Sequence, residues 1–250
     1  VAKDANDNVY FLLRSDESSS TNSWPTFVYK LPASGSPSGL ASEDGLQGVT
    51  HDDGTVYLTG VSFRGAPGDG FFSVNDTDEG QSVSEVVTEG ALDLNYGIDV
   101  DTNGNLYAFS GEFADAPRVR KIVRVTDPSG SATLEEFVDP YRDGSPLITG
   151  SGDDIADVDF VTQNGEGFLV VYNGSFQAEN GDQWASIRIS DQSIDLLFNR
   201  SQLVANSSAD GYTSGFTEPT AVNGAGEIFV ASRAAFGADD YIAKVSEALP

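Results

Sequence analysis

A chain of 250 residues with 39 Asp plus Glu, 13 Lys plus Arg and a formal charge of −26 lacks the clustered cations that a nucleic-acid backbone demands. The same charge disfavours direct contact with an anionic membrane, and no apolar run approaches the roughly 18 residues of a transmembrane helix. The absence of Cys excludes a disulfide framework, and a single histidine, His51, excludes a His-rich metal site.

Read in chain order, one unit recurs five times: an apolar strand, a short Asp/Asn/Gly turn, then a strand carrying an aromatic marker. The first copy runs over 1–11, with Asp4, Asn6 and Asn8 in the turn and Tyr10 as marker. The second spans 48–58, turning at Asp52-Asp53-Gly54 and marked by Tyr57. The third and clearest spans 96–109, with Asp101, Asn103, Gly104 and Asn105 before Tyr107. The fourth spans 157–169 and is marked by Phe168, the fifth spans 221–230 and is marked by Phe229. Each marker strand is followed by a loop and a third alternating strand, expected at 26–31, 71–74, 121–126, 184–189 and 241–245. Outer fourth strands are expected at 82–88, 133–138 and 193–198.

The spacing of the markers suits blades of roughly 40–50 residues, and no helical period of useful length occurs. The expected fold is therefore all-β, a β-propeller of four-stranded antiparallel blades. Five blades are legible and a sixth is allowed if sequence is missing at an end. A single domain over 1–250 is expected, with blades at 1–44, 45–93, 94–152, 153–215 and 216–250. The chain starts at Val1 without an initiator Met, which fits a cleaved signal peptide or a piece of something longer. A charge of this size repels itself in dilute buffer, whereas 1 M salt shortens the screening length to roughly 3 Å. A monomer from a high-salt organism is expected, secreted, periplasmic or held at the cell surface.

The marker unit Gly97-Ile98, Asp101, Gly104, Leu106 and Tyr107 resembles the inner hairpin of six-bladed propellers of the NHL and gluconolactonase (senescence-marker) type. In the gluconolactonase-like enzymes the residue before that Gly or Pro points into the central channel, where acidic and amide side chains hold one divalent metal. The resemblance implies Gln47, Tyr96, Ala156 and Glu218 at those places, with Asp154 and Asp157 nearby and Ca²⁺ or another divalent cation as cofactor. Only Glu218 among the four matched positions is a carboxylate, while Ca²⁺ takes about six to eight oxygens.

Other candidates compete. Asp99, Asp101, Asn103 and Gly104 imitate the start of a calcium loop, but Ser110 stands where its bidentate Glu belongs; a hairpin turn accounts for the same residues. The carboxylates Asp99, Asp101, Asp157 and Asp159 are expected on inner strands lining the channel, where a pair could serve glycoside cleavage. His51 follows a first strand and reads as a turn residue. An aromatic recurs after each second strand, Phe63, Phe113, Phe176 and Phe236, with Trp24 in that place in the first blade. These loops share one face with the blade-to-blade connections; Trp184, Tyr212 and Phe216 could extend the same surface, and Tyr96 is a further ligand-binding candidate. The two long connections at 139–153 and 201–217 open on that face as well. The function expected is a binding or scaffold module that recognises a glycan, small molecule or protein at the loop-rich mouth. The alternative is an enzyme, either a metal-dependent lactonase-like hydrolase or a carboxylate-pair glycosidase, and the sequence does not decide between them.

Overall fold

The computed structural model describes residues 1–14, 25–60, 70–87, 94–111, 121–147, 153–175, 182–199, 201–202, 217–232 and 241–245. All nineteen of its named elements are strands, arranged in five antiparallel meanders that follow one another along the chain. Sheet 1 holds β1 (Ala2–Lys3), β2 (Val9–Arg14), β3 (Pro25–Leu31) and β4 (Ser38–Asp44). Sheet 2 holds β5 (Leu46–Asp52), β6 (Thr55–Gly60), β7 (Gly70–Asn75) and β8 (Ser84–Val87). Sheet 3 holds β9 (Leu94–Val100), β10 (Leu106–Ser110), β11 (Lys121–Thr126) and β12 (Thr133–Val138). Sheet 4 holds β13 (Asp153–Gln163), β14 (Glu166–Ser175), β15 (Gln183–Arg188) and β16 (Ile194–Asn199). Sheet 5 shows β17 (Thr217–Val222), β18 (Ile228–Ser232) and β19 (Tyr241–Val245). Within each sheet the order along the sheet is the order along the chain. Five successive four-stranded meanders of this kind, the last with three described strands, are the blades of a β-propeller.

The chain divides into two compact units, Val1–Phe137 and Val138–Pro250. In the first, Tyr10, Val28 and Leu40 of sheet 1 pack with Val49, Val56, Leu58 and Phe72 of sheet 2. Tyr57 and Phe71 of sheet 2 pack in turn with Ile98, Leu106, Val123 and Val125 of sheet 3. In the second unit, Phe168, Val170, Tyr172 and Trp184 of sheet 4 pack with Ile228 and Val230 of sheet 5. β10 is covered on both faces, buried from Leu106 to Ser110, which is why it reads as the apolar run Leu106–Phe109. The outer strand β12 exposes Thr133 and Glu136 and buries Phe137 and Val138 at one end.

The first-to-second-strand turns follow two designs. Asp53-Gly54 and Asn164-Gly165 are two-residue turns with positive φ at both positions, 40° and 77° in one and 52° and 83° in the other, as a type I′ hairpin requires. The turns of sheets 1, 3 and 5 are longer and share one bonding pattern. The Asp4 N–H donates to the Asn8 carbonyl and the Asp7 N–H to the Asp4 carbonyl, at 3.0 and 3.2 Å. Asp101 with Asn105 and Gly104, and Asn223 with Glu227 and Gly226, repeat those bonds at 2.9 to 3.1 Å.

Candidate functional site

Strand alternation gives every blade two unlike ends. First-to-second and third-to-fourth connections lie at one end, the turn end. Second-to-third connections lie at the other end, together with the links between sheets. The second-to-third connections run over 15–24, 61–69, 111–120, 176–182 and 233–240, longer than the first-to-second turns in every sheet. Four of the five recurrent aromatics fall in them by sequence: Phe63, Phe113, Phe176 and Phe236. Trp24 falls in the fifth. All five lie outside the described residues, as do Tyr212 and Phe216.

The same end of four sheets carries an irregularity in the first strand. Leu46 pairs with Gly60 and Gly48 with Thr59, so Gln47 is an inserted residue. Between the Leu94–Ser110 and Ile98–Ala108 pairs, β9 places Asn95, Tyr96 and Gly97 against Phe109 alone. Ala156 is inserted between Ile155 and Asp157, and Glu218-Pro219 stand between the Thr217 and Thr220 pairs. These are the four positions matched through the propeller-enzyme resemblance, and each proves to sit in a β-bulge on an edge strand. A bulge ends regular pairing and re-aims a side chain, and Pro219 is tolerated there because an edge strand can spare its N–H. Backbone placement alone is described for Tyr96, Asp154 and Glu218. Gln47 is half-buried, its neighbour Gly48 donates its N–H to Thr59 Oγ1 at 2.8 Å, and its own Nε2 is buried without a hydrogen-bond partner among the described residues.

Several sequence candidates serve the framework. Asp157 is buried, and its carboxylate accepts the N–H groups of Val158 and Thr220 at 3.1 and 2.8 Å. Trp184 does not reach a ligand surface. It is fully buried, stacks on Phe198 with centroids 4.7 Å apart, and donates Nε1–H to Thr220 Oγ1 at 2.9 Å. Asp157 and Trp184 thus both fasten Thr220, the residue at which β17 regains its register. Asp99 accepts the Thr50 hydroxyl at 2.9 Å, joining sheets 2 and 3, and its own neighbour's N–H at 2.8 Å. Gln47 belongs to the first unit, and Asp154, Asp157 and Glu218 belong to the second. Both Asp157 oxygens receive backbone N–H groups, so its carboxylate serves to fix the framework.

The first part of the connection after β12 is ordered against the long-connection end of sheet 4. Tyr141 donates its hydroxyl to Asn173 Oδ1 at 2.7 Å, and Gln183 Nε2 donates to the Pro146 carbonyl at 3.1 Å. Asn173 and Gln183 are both buried, so their amide groups need these partners.

A second cluster stands at the turn end of the first unit. Asp4 is held by its own turn: Oδ1 accepts the N–H groups of Asn6 and Asn8 at 2.8 and 2.9 Å, and Oδ2 accepts Asn8 Nδ2–H at 2.7 Å. Burial pushes its carboxyl up, but these bonds and the Tyr10 hydroxyl outweigh it and hold the pKa at about 2. Tyr10 Oη lies 3.1 Å from Asp4 Oδ2 and 2.8 Å from Asp76 Oδ2. Asp76 Oδ2 also meets His51 Nε2 at 3.1 Å and Lys30 Nζ at 3.3 Å, and Lys30 donates to the Asp76 carbonyl at 3.1 Å. Burial raises the Asp76 pKa, yet the three donors prevail and hold it below the ordinary carboxylate value. His51 stacks on Tyr10 with centroids 4.5 Å apart and planes 9° apart. His51 is therefore the last but one residue of β5 with a buried, bonded ring, and not a turn residue.

Sheet 3 repeats part of this arrangement. Asp101 accepts the Asn103 and Asn105 N–H groups, Asn105 Nδ2–H and the Tyr107 hydroxyl at 2.8, 2.9, 2.9 and 3.1 Å. Tyr107 faces Arg124 across the ladder as Tyr10 faces Lys30. The Asp101 carboxylate is thus a turn brace, in keeping with the hairpin account and not with a calcium loop.

No family model matches the chain, and no curated protein matches it. Among solved structures, a puromycin-hydrolyzing peptidase of Mycobacterium tuberculosis resembles it with a TM-score of 0.49 and 10% sequence identity, over 92% of this chain and 33% of that one. The chain spans about a third of that protein's length. The sheets themselves define the class, a β-propeller.

Proposed function

We propose that the chain is a binding or scaffold module that takes a glycan, a small molecule or another protein at the long-connection end of its blades. The observation that carries this reading is the bulge repeated at that end of four first strands. A plain ladder needs no such interruption, and bulges gather beside ligand sites because they re-aim side chains. At Gln47 the bulge leaves a buried amide donor without a protein acceptor, a group that a ligand oxygen would satisfy. One aromatic per second-to-third connection adds stacking surfaces of the kind that sugars use.

The hydrolase alternative has less support. Asp101 and Asp157 spend both oxygens on backbone and neighbouring side chains, which leaves them ill suited to proton transfer. A secreted, periplasmic or surface location and a high-salt habitat belong to the same proposal, supported by the charge of −26. Glycan and protein arrays probed with the chain in high salt test the reading. Saturable binding that falls in Phe63→Ala and Gln47→Ala, with unchanged circular dichroism, supports it. Catalytic turnover of a lactone or glycoside without stable binding would replace it.

A further inference from the structure

We propose that the turn end of sheets 1 and 2 is a binding site for a divalent transition cation of the zinc class, with Asp4 Oδ2, His51 Nε2 and Asp76 Oδ2 as its protein ligands. The site is separate from the long-connection end and does not rest on the ligand reading above. Among the described residues these three side chains form a cluster in which one ligand atom of each lies within 4.8 Å of the others. Bonds of roughly 2.0–2.2 Å to Asp or His place neighbouring ligand atoms about 3.0–3.5 Å apart. Asp76 Oδ2 and His51 Nε2 are already 3.1 Å apart, and the Asp4 ligand atom lies within 4.8 Å of both. An imidazole beside two carboxylates suits zinc-class ions. The oxygen count is too low for Ca²⁺.

Proton bookkeeping points the same way. Tyr10 has one hydroxyl proton, and both of its close neighbours are carboxylate oxygens that only accept. One of the two contacts therefore joins two oxygens with no proton between them. A cation bound to both carboxylates would relieve that contact.

The internal repeat separates what the fold needs from what is added. Asp101, Asn105 and Tyr107 reproduce the brace of Asp4, Asn8 and Tyr10, so the brace alone is framework. His51 is not required by it. His51 follows Thr50, the ladder partner of Tyr57, as Val100 follows Asp99, the ladder partner of Tyr107. Where sheet 2 offers an imidazole to Tyr10, sheet 3 offers Val100, which packs in the apolar cluster around Tyr57. In sheet 3 an apolar residue thus completes the repeat at this place, and among the described first strands a histidine stands there only in sheet 2, beside Asp4 and Asp76.

Lys30 is the competitor. Its ammonium sits 3.3 Å from the very oxygen the metal would use, with the Asp76 carbonyl at 3.1 Å as a second acceptor to which it can withdraw. Removing its charge must tighten metal binding, whereas in a plain ion-pair network the same change only loses a partner.

Calorimetric titration of the chelator-treated chain with Zn²⁺, and visible spectra with Co²⁺, in high salt with excess Mg²⁺ to occupy surface carboxylates, test the site. One equivalent should bind, and the Co²⁺ spectrum should show bands of a nitrogen- and oxygen-ligated ion. His51→Gln, which keeps a hydrogen-bond donor on Asp76, and Asp76→Asn should each weaken binding more than roughly tenfold. Lys30→Met should strengthen it by roughly tenfold. Absence of uptake by both the wild type and Lys30→Met overturns the proposal, as does uptake that His51→Gln leaves unchanged. Near-ultraviolet circular dichroism confirms that each variant is folded.

Discussion

Replacing Asp101 with Ala removes a single acceptor from four donors in the first-to-second-strand turn of sheet 3. The carboxylate is buried and receives two backbone N–H groups, the Asn105 amide and the Tyr107 hydroxyl, all between 2.8 and 3.1 Å. Bonds to a charged acceptor contribute about 1.5–3 kcal/mol each. Asn103 is exposed, so its N–H regains water, and Asn105 is half-buried, so its donors recover in part. Tyr107 is fully buried, and its hydroxyl loses its acceptor outright. Counting about two such bonds as lost in full gives a cost of about 3–6 kcal/mol, or a fall in Tm of about 6–24 °C in a domain of this size. Asp101→Asn keeps one acceptor oxygen and should cost less, and Thr102→Ala, on the exposed tip, should be nearly neutral. Urea unfolding followed by far-ultraviolet circular dichroism in high salt measures all three. A shift of Asp101→Ala below about 0.5 kcal/mol, the range of ordinary surface changes, would refute the turn-brace account.

Two further outcomes follow from the charges. Burial, with the Asp101 charge, outweighs the Arg124 contact and pushes the Tyr107 pKa up from 10.0 to about 12. A raised folded value means full stability below pH 10 and a decline as pH climbs towards 12, so Tyr107→Phe should flatten that alkaline decline in melts taken from pH 9 to 12. With 39 acidic against 13 basic residues, repulsion should lower Tm in dilute buffer and NaCl should restore it. A Tm independent of salt from 0.05 to 1 M, a span over which the screening length falls severalfold, would contradict the high-salt reading.

Much of the scaffold was legible because a strand buried on both faces needs an apolar run, and a tight turn needs residues that accept positive φ. Tyr10, Tyr57, Tyr107, Phe168 and Phe229 all fall on second strands, and the third strands at 121–126 and 241–245 match to the residue. The fourth strand of sheet 1, Ser38–Asp44, was not read from the sequence. Its Gly, Ser and Ala content carries no alternation, and its place is given by pairing with β3. Outer strands in sheets 2 and 4 were misplaced by one or two residues, since exposed edges tolerate polar residues at either register. The bulge positions were found only through a repeat register, while the bulge itself depends on a partner strand. His51 with Asp76, and Tyr10 with Asp76, were beyond reach because they join elements 25 and 66 residues apart. The one available signal was the shared Asp-x-Asn-x-Asn-x-Tyr of residues 4–10 and 101–107, which marks Asp4 as turn framework and leaves His51 as the departure. Trp184 looked like a surface aromatic because its strand alternates, but both faces of β15 are covered and Gln183 to Ile187 are all buried.

The most direct test of the binding account is the affinity for the best array ligand, measured by titration on matched variants of the two blade ends. Gln47→Ala with Phe63→Ala alters the long-connection end, and Thr102→Ala with Asp53→Asn alters the turn end. The account predicts a loss of roughly tenfold or more for the first pair, the scale of a binding hot spot, and wild-type affinity for the second. Equal affinity in both pairs, or loss confined to the turn-end pair, would contradict it.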